Sequence, residues 1–222
     1  MTFLSVVFRV FRGLNIQWQW NMDKPLKAVL FDFDGTLTRP GSLDFGAIRL
    51  AIGSPAGIPI LEYIATLAPG EPRDRANRIL DQFEMEAAER SQPNASAEHL
   101  MAFLKSQKLK LGILTRNSLN SVNRALLNFN NIRKSDFDAI ITRHDVDRPK
   151  PDPEGVILAT LKMDVAPEAL LVVGDYVFDI EAGRMAGART AFLVSEATTR
   201  FPDPPADWTI KSLDELKPIF RS

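Results

Sequence analysis

The sequence contains no cysteine, which excludes disulfides, zinc–thiolate sites and cysteine nucleophiles. It has two histidines, His99 and His144, which lie far apart without the spacing of metal ligands, so we expect both on the surface. The formal net charge of −1 gives no reason to expect a nucleic acid or a membrane as a partner. A hydrophobic fraction of 45% over 222 residues is typical of an ordinary soluble protein with one core and room for a small second lobe.

Residues 1–21 differ in composition from the rest of the chain. They include Arg9 and Arg12, no acidic residue, and apolar residues that share one face of a helix. The arginines interrupt the apolar run and no small-residue cleavage site follows, which argues against a secretory signal, and the run is too short to span a membrane. An organelle transit peptide stays open. We favour an N-terminal extension of a cytoplasmic protein whose functional part starts near Met22.

Short apolar runs alternate with helical patterns along most of the chain. Runs typical of buried strands cover residues 27–33, 110–114, 139–142, 170–173 and 190–194. Helical patterns cover residues 97–106, 118–128, 153–161 and 180–185, and a last short helix is expected after Ser212 as its N-cap. This order predicts βαβ units, and therefore an α/β fold with a parallel sheet that helices cover on both faces.

One stretch, residues 42–92, breaks the alternation because it offers no strand candidate. Helical patterns cover residues 43–52, 60–67 and 73–90, and prolines at positions 40 and 93 mark the two ends. We predict a small helical lobe inserted after the first strand, with the core formed by residues 22–41 and 93–222. The alternative is that these helices simply cover the sheet.

An acidic motif, DFDGT at residues 32–36, follows the first predicted strand. Asp32 and Asp34 are two positions apart, so in extended backbone both side chains point to the same side. Asp32 is the candidate nucleophile, which would form an aspartyl-phosphate, and Asp34 is the candidate general acid and base. Gly35 permits a sharp turn, within which we expect Thr36 to form a hydrogen bond that holds the carboxylates in place. Taken alone, the motif is equally typical of a polar turn.

Two further segments supply groups that can bind a phosphoryl oxygen. Thr115, Arg116 and Asn117 follow the second predicted strand where a helix is expected to begin, so the threonine hydroxyl and the next amide groups can hold an anion. A capping role for Thr115 and a surface role for Arg116 are the alternatives. Lys150 lies between two prolines that restrict its direction, and its ammonium can pair with both the nucleophile and the phosphoryl oxygens.

Asp175 and Asp179 complete the set of carboxylates near predicted strand ends. Asp175 comes shortly after the fourth predicted strand, and Asp179 lies four residues later at the start of a helix, where an N-cap role is the alternative. With Asp32 and the backbone carbonyl of Asp34, they offer the oxygen ligands that Mg²⁺ prefers. Because the carboxyl ends of parallel strands meet at one edge, we expect one crevice. Its excess negative charge predicts a raised pKa for Asp34, as a general acid needs.

The motifs DFDGTLT, TRN, the lysine of RPKPDPEG, and GDYVFD, in this order, resemble those of the haloacid dehalogenase superfamily of hydrolases. The resemblance covers residues 27–194 and is nearest to the phosphoglycolate-phosphatase-like group. It implies a Rossmann-like, doubly wound core with a small helical cap at residues 42–92. It further implies a Mg²⁺-dependent phosphatase that hydrolyses small-molecule phosphate monoesters through an aspartyl-phosphate. Tyr176 departs from the pattern, because many members have serine or threonine there.

The presence or absence of single residues argues for or against the other reactions of this superfamily. True dehalogenases lack the second aspartate, which is present here as Asp34. No lysine lies between Lys27 and Lys105, which argues against the Schiff-base chemistry of phosphonate-cleaving members. A sugar phosphomutase and a catalytically inactive binding protein on the same fold stay open as alternatives. In the cap, Arg49 and Ser54 are the candidate substrate contacts, and we expect a monomer or weak dimer.

Overall fold

Six parallel strands form one sheet in the computed structural model, which describes residues 25–196 and 198–220. The strands are β1 (Ala28–Phe31), β2 (Lys110–Leu114), β3 (Ala139–Ile141), β4 (Leu170–Gly174), β5 (Arg189–Leu193) and β6 (Trp208–Ile210). Their order across the sheet is β3-β2-β1-β4-β5-β6, so β1 lies in the interior of the sheet. This confirms the predicted α/β, Rossmann-like fold. The predicted extension at residues 1–21 lies outside the described residues.

Seven α-helices accompany the sheet within the described part of the chain. They are α1 (Phe45–Ile52), α2 (Ile60–Thr66), α3 (Glu71–Arg90), α4 (Ala97–Ser106), α5 (Leu119–Leu126), α6 (Glu154–Met163) and α7 (Val177–Met185). The short helix predicted after Ser212 is present at Leu213–Phe220 as a 3₁₀ helix that contains Pro218, and Ser212 Oγ accepts from the backbone N–H of Asp214 at 3.4 Å. A proline lacks the N–H group that an α-helix needs in its interior. Short 3₁₀ turns also occur at Lys134–Asp136 and Pro167–Ala169.

The strands read as continuous apolar runs because both faces of the sheet are covered. In β1, Val29 and Phe31 pack into one hydrophobic cluster, whereas Ala28 and Leu30 pack into another on the opposite face. The first cluster contains side chains of α4 and α5, and the second contains side chains of α6 and α7. Helices on both faces leave the carboxyl edge of the sheet open to the loops that carry the candidate site.

The segment between β1 and α4 leaves the sheet and returns to it at adjacent points. The backbone N–H of Arg39 donates to the carbonyl oxygen of Gln92 at 2.9 Å, and Thr38 forms an isolated antiparallel bridge with Pro93. Helices α1, α2 and α3 lie between these two points. Such a paired entry and exit is the geometry expected of an inserted lobe.

Helices α1, α2 and α3 also have a hydrophobic cluster of their own. Its buried members are Ile48, Ile60, Ile64, Ala76 and Leu80. Near the end of α3, Ala88 instead joins the main cluster with α4 and α5. The long helix α3 therefore contacts both the small cluster and the core, and the division at residues 42–92 stays a prediction.

Two observations concern the histidines and the apolar character of the helices. Both His99 and His144 are exposed, as the sequence predicts. Within residues 25–196 and 198–220, none of the helices combines the length and the apolar character that crossing a bilayer requires.

Candidate active site

A buried lysine connects the end of β1 with the last residue of β2 and the first turn of α7. Lys150 is 4% exposed, and its Nζ donates to Asp32 Oδ1 at 2.6 Å and to Asp179 Oδ1 at 2.5 Å. A third bond runs to the carbonyl oxygen of Leu114 at 2.8 Å, so all three ammonium donors are used. Burial alone would lower the pKa of Lys150, but the carboxylates of Asp179 and Asp32 outweigh it and raise the pKa. The lysine is therefore a fixed positive charge.

Three carboxylates converge beside this lysine. Each of Asp32, Asp175 and Asp179 places an oxygen within 4.8 Å of the others. Burial, followed by repulsion from Asp32 and Asp179, raises the pKa of Asp175 to about 8. Burial also raises the pKa of Asp179 to about 6, against the opposing pull of the Lys150 ammonium. This all-oxygen donor set, whose charges repel one another, fits a hard divalent cation such as Mg²⁺.

Two glycines allow these carboxylates to lie so close to the backbone. Gly35 adopts a φ of 83°, and a Cβ on it would lie 2.1 Å from Asp175 Oδ2. A Cβ on Gly174 would lie 2.2 Å from Asp179 Oδ2. Thr36 hydrogen-bonds to Asp175 Oδ1 at 3.4 Å rather than within its own turn, so that expectation is wrong. Its hydroxyl instead links the β1 turn to the loop after β4.

Asp179 lies in the first turn of α7 but is not its N-cap. The N-cap position belongs to Tyr176, whose backbone N–H donates to Asp179 Oδ2 at 3.0 Å. The other carboxylate oxygen of Asp179 accepts the bond from Lys150. Asp179 therefore supports the helix start with one oxygen while the second faces the lysine.

Asp34 has different surroundings from Asp32. It is half-buried, and its Oδ2 accepts a hydrogen bond from the side-chain amide of Asn117. Burial, and then the nearby charge of Asp32, raise the pKa of Asp34 to about 7, although the bond from Asn117 opposes the rise. The direction of this pKa shift agrees with the prediction from the excess negative charge of the site. A carboxyl group with this pKa can both give and take a proton near neutral pH.

Thr115 lies directly beyond β2, but helix α5 begins only at Leu119. Ser118 is the N-cap of α5, with its Oγ accepting from the backbone N–H of Ser121 at 3.3 Å. The capping alternative for Thr115 is therefore wrong, and so is a helix start directly beside it. Thr115 Oγ1 instead accepts from the backbone N–H of Asn117 at 3.1 Å, which leaves its hydroxyl proton available to another acceptor.

Arg116 forms contacts that the sequence did not reveal. Its guanidinium pairs with both carboxylate oxygens of Glu62 in α2, at 2.9 Å and 2.6 Å. It also donates to the carbonyl oxygen of Lys150 and lies 5.4 Å from the ring centroid of Phe178. These contacts hold the guanidinium against the protein although its side chain is still partly exposed, and its predicted phosphate contact stays a prediction. Glu62 carries no motif signal, because only the packing of α2 brings it to this loop.

Arg49 and Ser54, the candidate substrate contacts, form hydrogen bonds with the loop between α1 and α2. Arg49 Nη1 donates to the carbonyl oxygens of Pro55 and Ile58, and Ser54 Oγ donates to the carbonyl oxygen of Pro55 at 3.4 Å. In the hydrogen bonds of the described chain, neither residue contacts Asp32 or Asp34. Their predicted contact with a substrate stays a prediction.

A second ion pair that sequence reasoning missed joins α3 to the loop after β3. Glu84 is 2% exposed, and its Oε2 accepts from the backbone N–H of Ser118 at 2.9 Å. Its other oxygen pairs with Arg143, which also contacts Asp81. Charged residues on α3 are visible in the sequence, but which of them is buried depends on long-range packing.

Comparisons with known proteins agree with this geometry. A family model for haloacid dehalogenase-like hydrolases matches residues 26–187. An uncharacterised hydrolase of Saccharomyces cerevisiae is 34% identical over 77% of this chain and 78% of its own. An N-acetylmuramic acid 6-phosphate phosphatase of Pseudomonas aeruginosa is 29% identical over 82% of this chain and 88% of its own. The crystal structure of CbbY from Rhodobacter sphaeroides in complex with phosphate shares the fold, with a TM-score of 0.68 at 23% identity over 86% and 96% of the two chains. The chain belongs to the haloacid dehalogenase-like hydrolase family.

Proposed function

We propose that this protein is a Mg²⁺-dependent phosphatase that hydrolyses small-molecule phosphate monoesters through an aspartyl-phosphate on Asp32. The observation that carries the proposal is the pairing of two unlike carboxyl groups. Asp32 lies 2.6 Å from the Lys150 ammonium, whereas Asp34, two residues later, has a pKa of about 7. Asp32 is therefore held by a fixed ammonium, as a nucleophile needs, and Asp34 can carry a proton. The phosphatase name of the Pseudomonas aeruginosa relative supports the same reaction class.

The proposed reaction has two steps. In the first, a carboxylate oxygen of Asp32 attacks phosphorus, the ester bond breaks, and Asp34 donates its proton to the departing oxygen. In the second, Asp34 takes a proton from a water molecule as that water attacks the phosphorus, which releases phosphate and restores Asp32. Lys150 holds Asp32 in place and offsets the repulsion between the carboxylate and the incoming dianion.

The remaining groups bind and orient the phosphoryl group. The Thr115 hydroxyl has a free proton to donate to a phosphoryl oxygen, and the Asn117 amide keeps Asp34 in position. Asp32, Asp175 and Asp179, with the backbone carbonyl of Asp34, would hold Mg²⁺, which supplies the positive charge that an attack on a dianion needs.

Residues 42–92 are the proposed cap over a core of residues 22–41 and 93–222. The isolated bridge between Thr38 and Pro93 brings the two ends of the segment together, and its small hydrophobic cluster gives it a packing centre of its own. A cap of this kind would exclude water and contact the non-reacting part of the ester, with Arg49 and Ser54 as candidate contacts.

The proposal is tested by release of p-nitrophenol from p-nitrophenyl phosphate with Mg²⁺ and with EDTA. We expect the parent enzyme to need Mg²⁺, and Asp32→Asn to lose turnover while keeping its melting temperature. Asp164→Asn is the matched control, because Asp164 is exposed and in the left-handed conformation that asparagine tolerates. Hydrolysis by Asp32→Asn near the parental rate contradicts the proposed nucleophile.

A further inference from the structure

The Arg116–Glu62 ion pair joins helix α2 to the loop that carries Thr115 and Asn117. Both guanidinium nitrogens that face Glu62 are within 2.9 Å of a carboxylate oxygen, which is the bidentate geometry of a strong pair. The Arg116 side chain is 21% exposed and that of Glu62 is 40% exposed, so the pair is open to solvent on one side. A ligand that enters the crevice can therefore compete for it.

Arg116 lies beside the proposed reaction centre rather than at a distance from it. It contacts the carbonyl oxygen of Lys150, whose ammonium contacts Asp32. On its other side it stacks near Phe178, three residues after Asp175. Without a carboxylate partner, the guanidinium of Arg116 would therefore be placed to bind a second anionic group of a substrate.

The charge of Arg116 is already neutralised, and so are those of neighbouring cations. Lys150 pairs with Asp32 and Asp179, and the buried Arg143 pairs with Glu84 and an aspartate of α3. A second anion on the substrate would have to displace the Glu62 carboxylate or lie next to it. Either event costs free energy that a neutral group does not incur.

Two aromatic rings lie next to this pair. Tyr176 is 46% exposed, and its ring packs edge-on against Phe178 with 4.9 Å between the centroids. Aromatic faces of this kind suit the apolar side of an alcohol or sugar ring.

We propose that Glu62 determines specificity by withholding Arg116 from a second anion, so that the enzyme prefers phosphate monoesters whose leaving group is uncharged. This inference rests on the proposed phosphatase function. It assigns Glu62 a role in selection and not in the chemical steps.

The test compares Glu62→Gln with Glu71→Gln. Glu71 of α3 forms an exposed pair with Arg78 at 2.7 Å, which makes it a matched control away from the catalytic loops. The measured quantity is the inhibition constant of each ester against hydrolysis of p-nitrophenyl phosphate. Two ester pairs differ mainly by a carboxylate: 2-phosphoglycolate against 2-hydroxyethyl phosphate, and 6-phosphogluconate against glucose 6-phosphate.

In the parent we expect the neutral ester of each pair to bind at least as tightly as the anionic one. In Glu62→Gln the anionic ester should gain about threefold to fivefold relative to the neutral ester in at least one pair, the upper part of the range expected for one partly exposed charge interaction. Glu71→Gln should leave the ratios unchanged, and adding Arg116→Gln to Glu62→Gln should abolish the gain.

Ratios that stay constant in Glu62→Gln, or that change equally in Glu71→Gln, overturn the inference. So does a gain that survives the addition of Arg116→Gln, because the freed guanidinium would not be its source. Failure of the phosphatase proposal itself is recognised separately, since a parent enzyme without Mg²⁺-dependent hydrolysis of p-nitrophenyl phosphate would contradict it before any ratio is compared.

Discussion

At the scale of single residues, the two aspartates of the first motif differ through their partners. Asp32 contacts the ammonium of Lys150, whereas Asp34 contacts the neutral amide of Asn117. Burial, and then the nearby carboxylate of Asp32, raise the pKa of Asp34 and favour its protonated form. Two carboxyl groups from one short motif can therefore take the roles of nucleophile and proton carrier.

The pH dependence of the first step is predicted from the pKa of Asp34. The general acid must be protonated, so its active form dominates below about pH 7 and is lost as the pH rises above that value. Single-turnover transfer from an alkyl phosphate should fall toward about tenfold per pH unit on the basic side. Asp34→Asn should remove this limb and slow the step by roughly 10²-fold or more.

Two comparisons sharpen that experiment. Asn117→Ala removes the hydrogen bond that lowers the pKa of Asp34, so the basic limb should move to higher pH. p-Nitrophenyl phosphate needs less protonation of its leaving group and should lose less in Asp34→Asn. Equal losses for the alkyl and nitrophenyl esters would mean that Asp34 is not the acid.

At the scale of elements, Glu84 fixes α3 on the core, because it pairs with Arg143 after β3 and accepts from the backbone N–H of Ser118 at the start of α5. Glu84→Ala would leave the buried Arg143 side chain with the exposed Asp81 as its carboxylate partner, and would remove the acceptor of the Ser118 N–H, which together cost about 2 kcal/mol or more. We expect Glu84→Ala to lower the melting temperature by several degrees, at about 2–4 °C per kcal/mol for a chain of this size. Thermal and urea denaturation measure the effect.

The exposed pair of Glu71 and Arg78 is the control for that prediction. Glu71→Gln should change the free energy of unfolding by less than about 1 kcal/mol, because solvent screens an exposed pair. A loss of the same small size in Glu84→Ala would show that the buried pair does not hold α3 on the core.

Element by element, the predictable strands are those with long apolar runs. Strands β1 to β5 were predicted from such runs, whereas β6 was not, because only Ile210 among its three residues is buried. The predicted start of α3 at residue 73 was also late, since Pro72 is tolerated in the first turn of a helix. Short edge strands and proline-containing helix starts give no periodic signal.

The residues of the candidate site can likewise be separated into those that the sequence predicts and those that it does not. The convergence of Asp32, Lys150, Asp175 and Asp179 was predictable, because a parallel sheet brings the ends of its strands to one edge. The partners of Arg116 and Arg143 were not, because they lie on helices between Thr38 and Pro93 whose placement depends on tertiary packing. Local sequence motifs therefore predict the candidate site residues, whereas the residues that surround them depend on long-range packing.

At the scale of the whole molecule, the carboxylate cluster should make stability depend on pH and metal. The pKa values of Asp34, Asp175 and Asp179 are about 7, 8 and 6, each raised above an ordinary value of 3.8. The folded state therefore binds more protons than the unfolded state between about pH 4 and 8. Without metal, the contribution of these groups is fully present below pH 4 and is lost as the pH rises through their folded pKa values.

Melting temperatures from pH 6 to 8.5 test this linkage. In EDTA, the parent should lose stability from these groups as the pH rises, and Asp175→Asn should flatten the slope. Mg²⁺ should raise the melting temperature most at the basic end, where the carboxylates are charged. A parent slope that Asp175→Asn leaves unchanged, together with no stabilisation by Mg²⁺, would contradict a carboxylate cluster built for a cation.

The most direct test of the phosphatase proposal is to trap the covalent intermediate. The enzyme is mixed with p-nitrophenyl phosphate and Mg²⁺, quenched rapidly and reduced with borohydride, which converts an aspartyl-phosphate to homoserine. Peptide mass spectrometry then locates the reduced residue. The proposal predicts homoserine at position 32, formed only with substrate and Mg²⁺ and absent from Asp32→Asn. Substrate-dependent reduction at another residue, or turnover by the parent with no reduction at position 32, would contradict it.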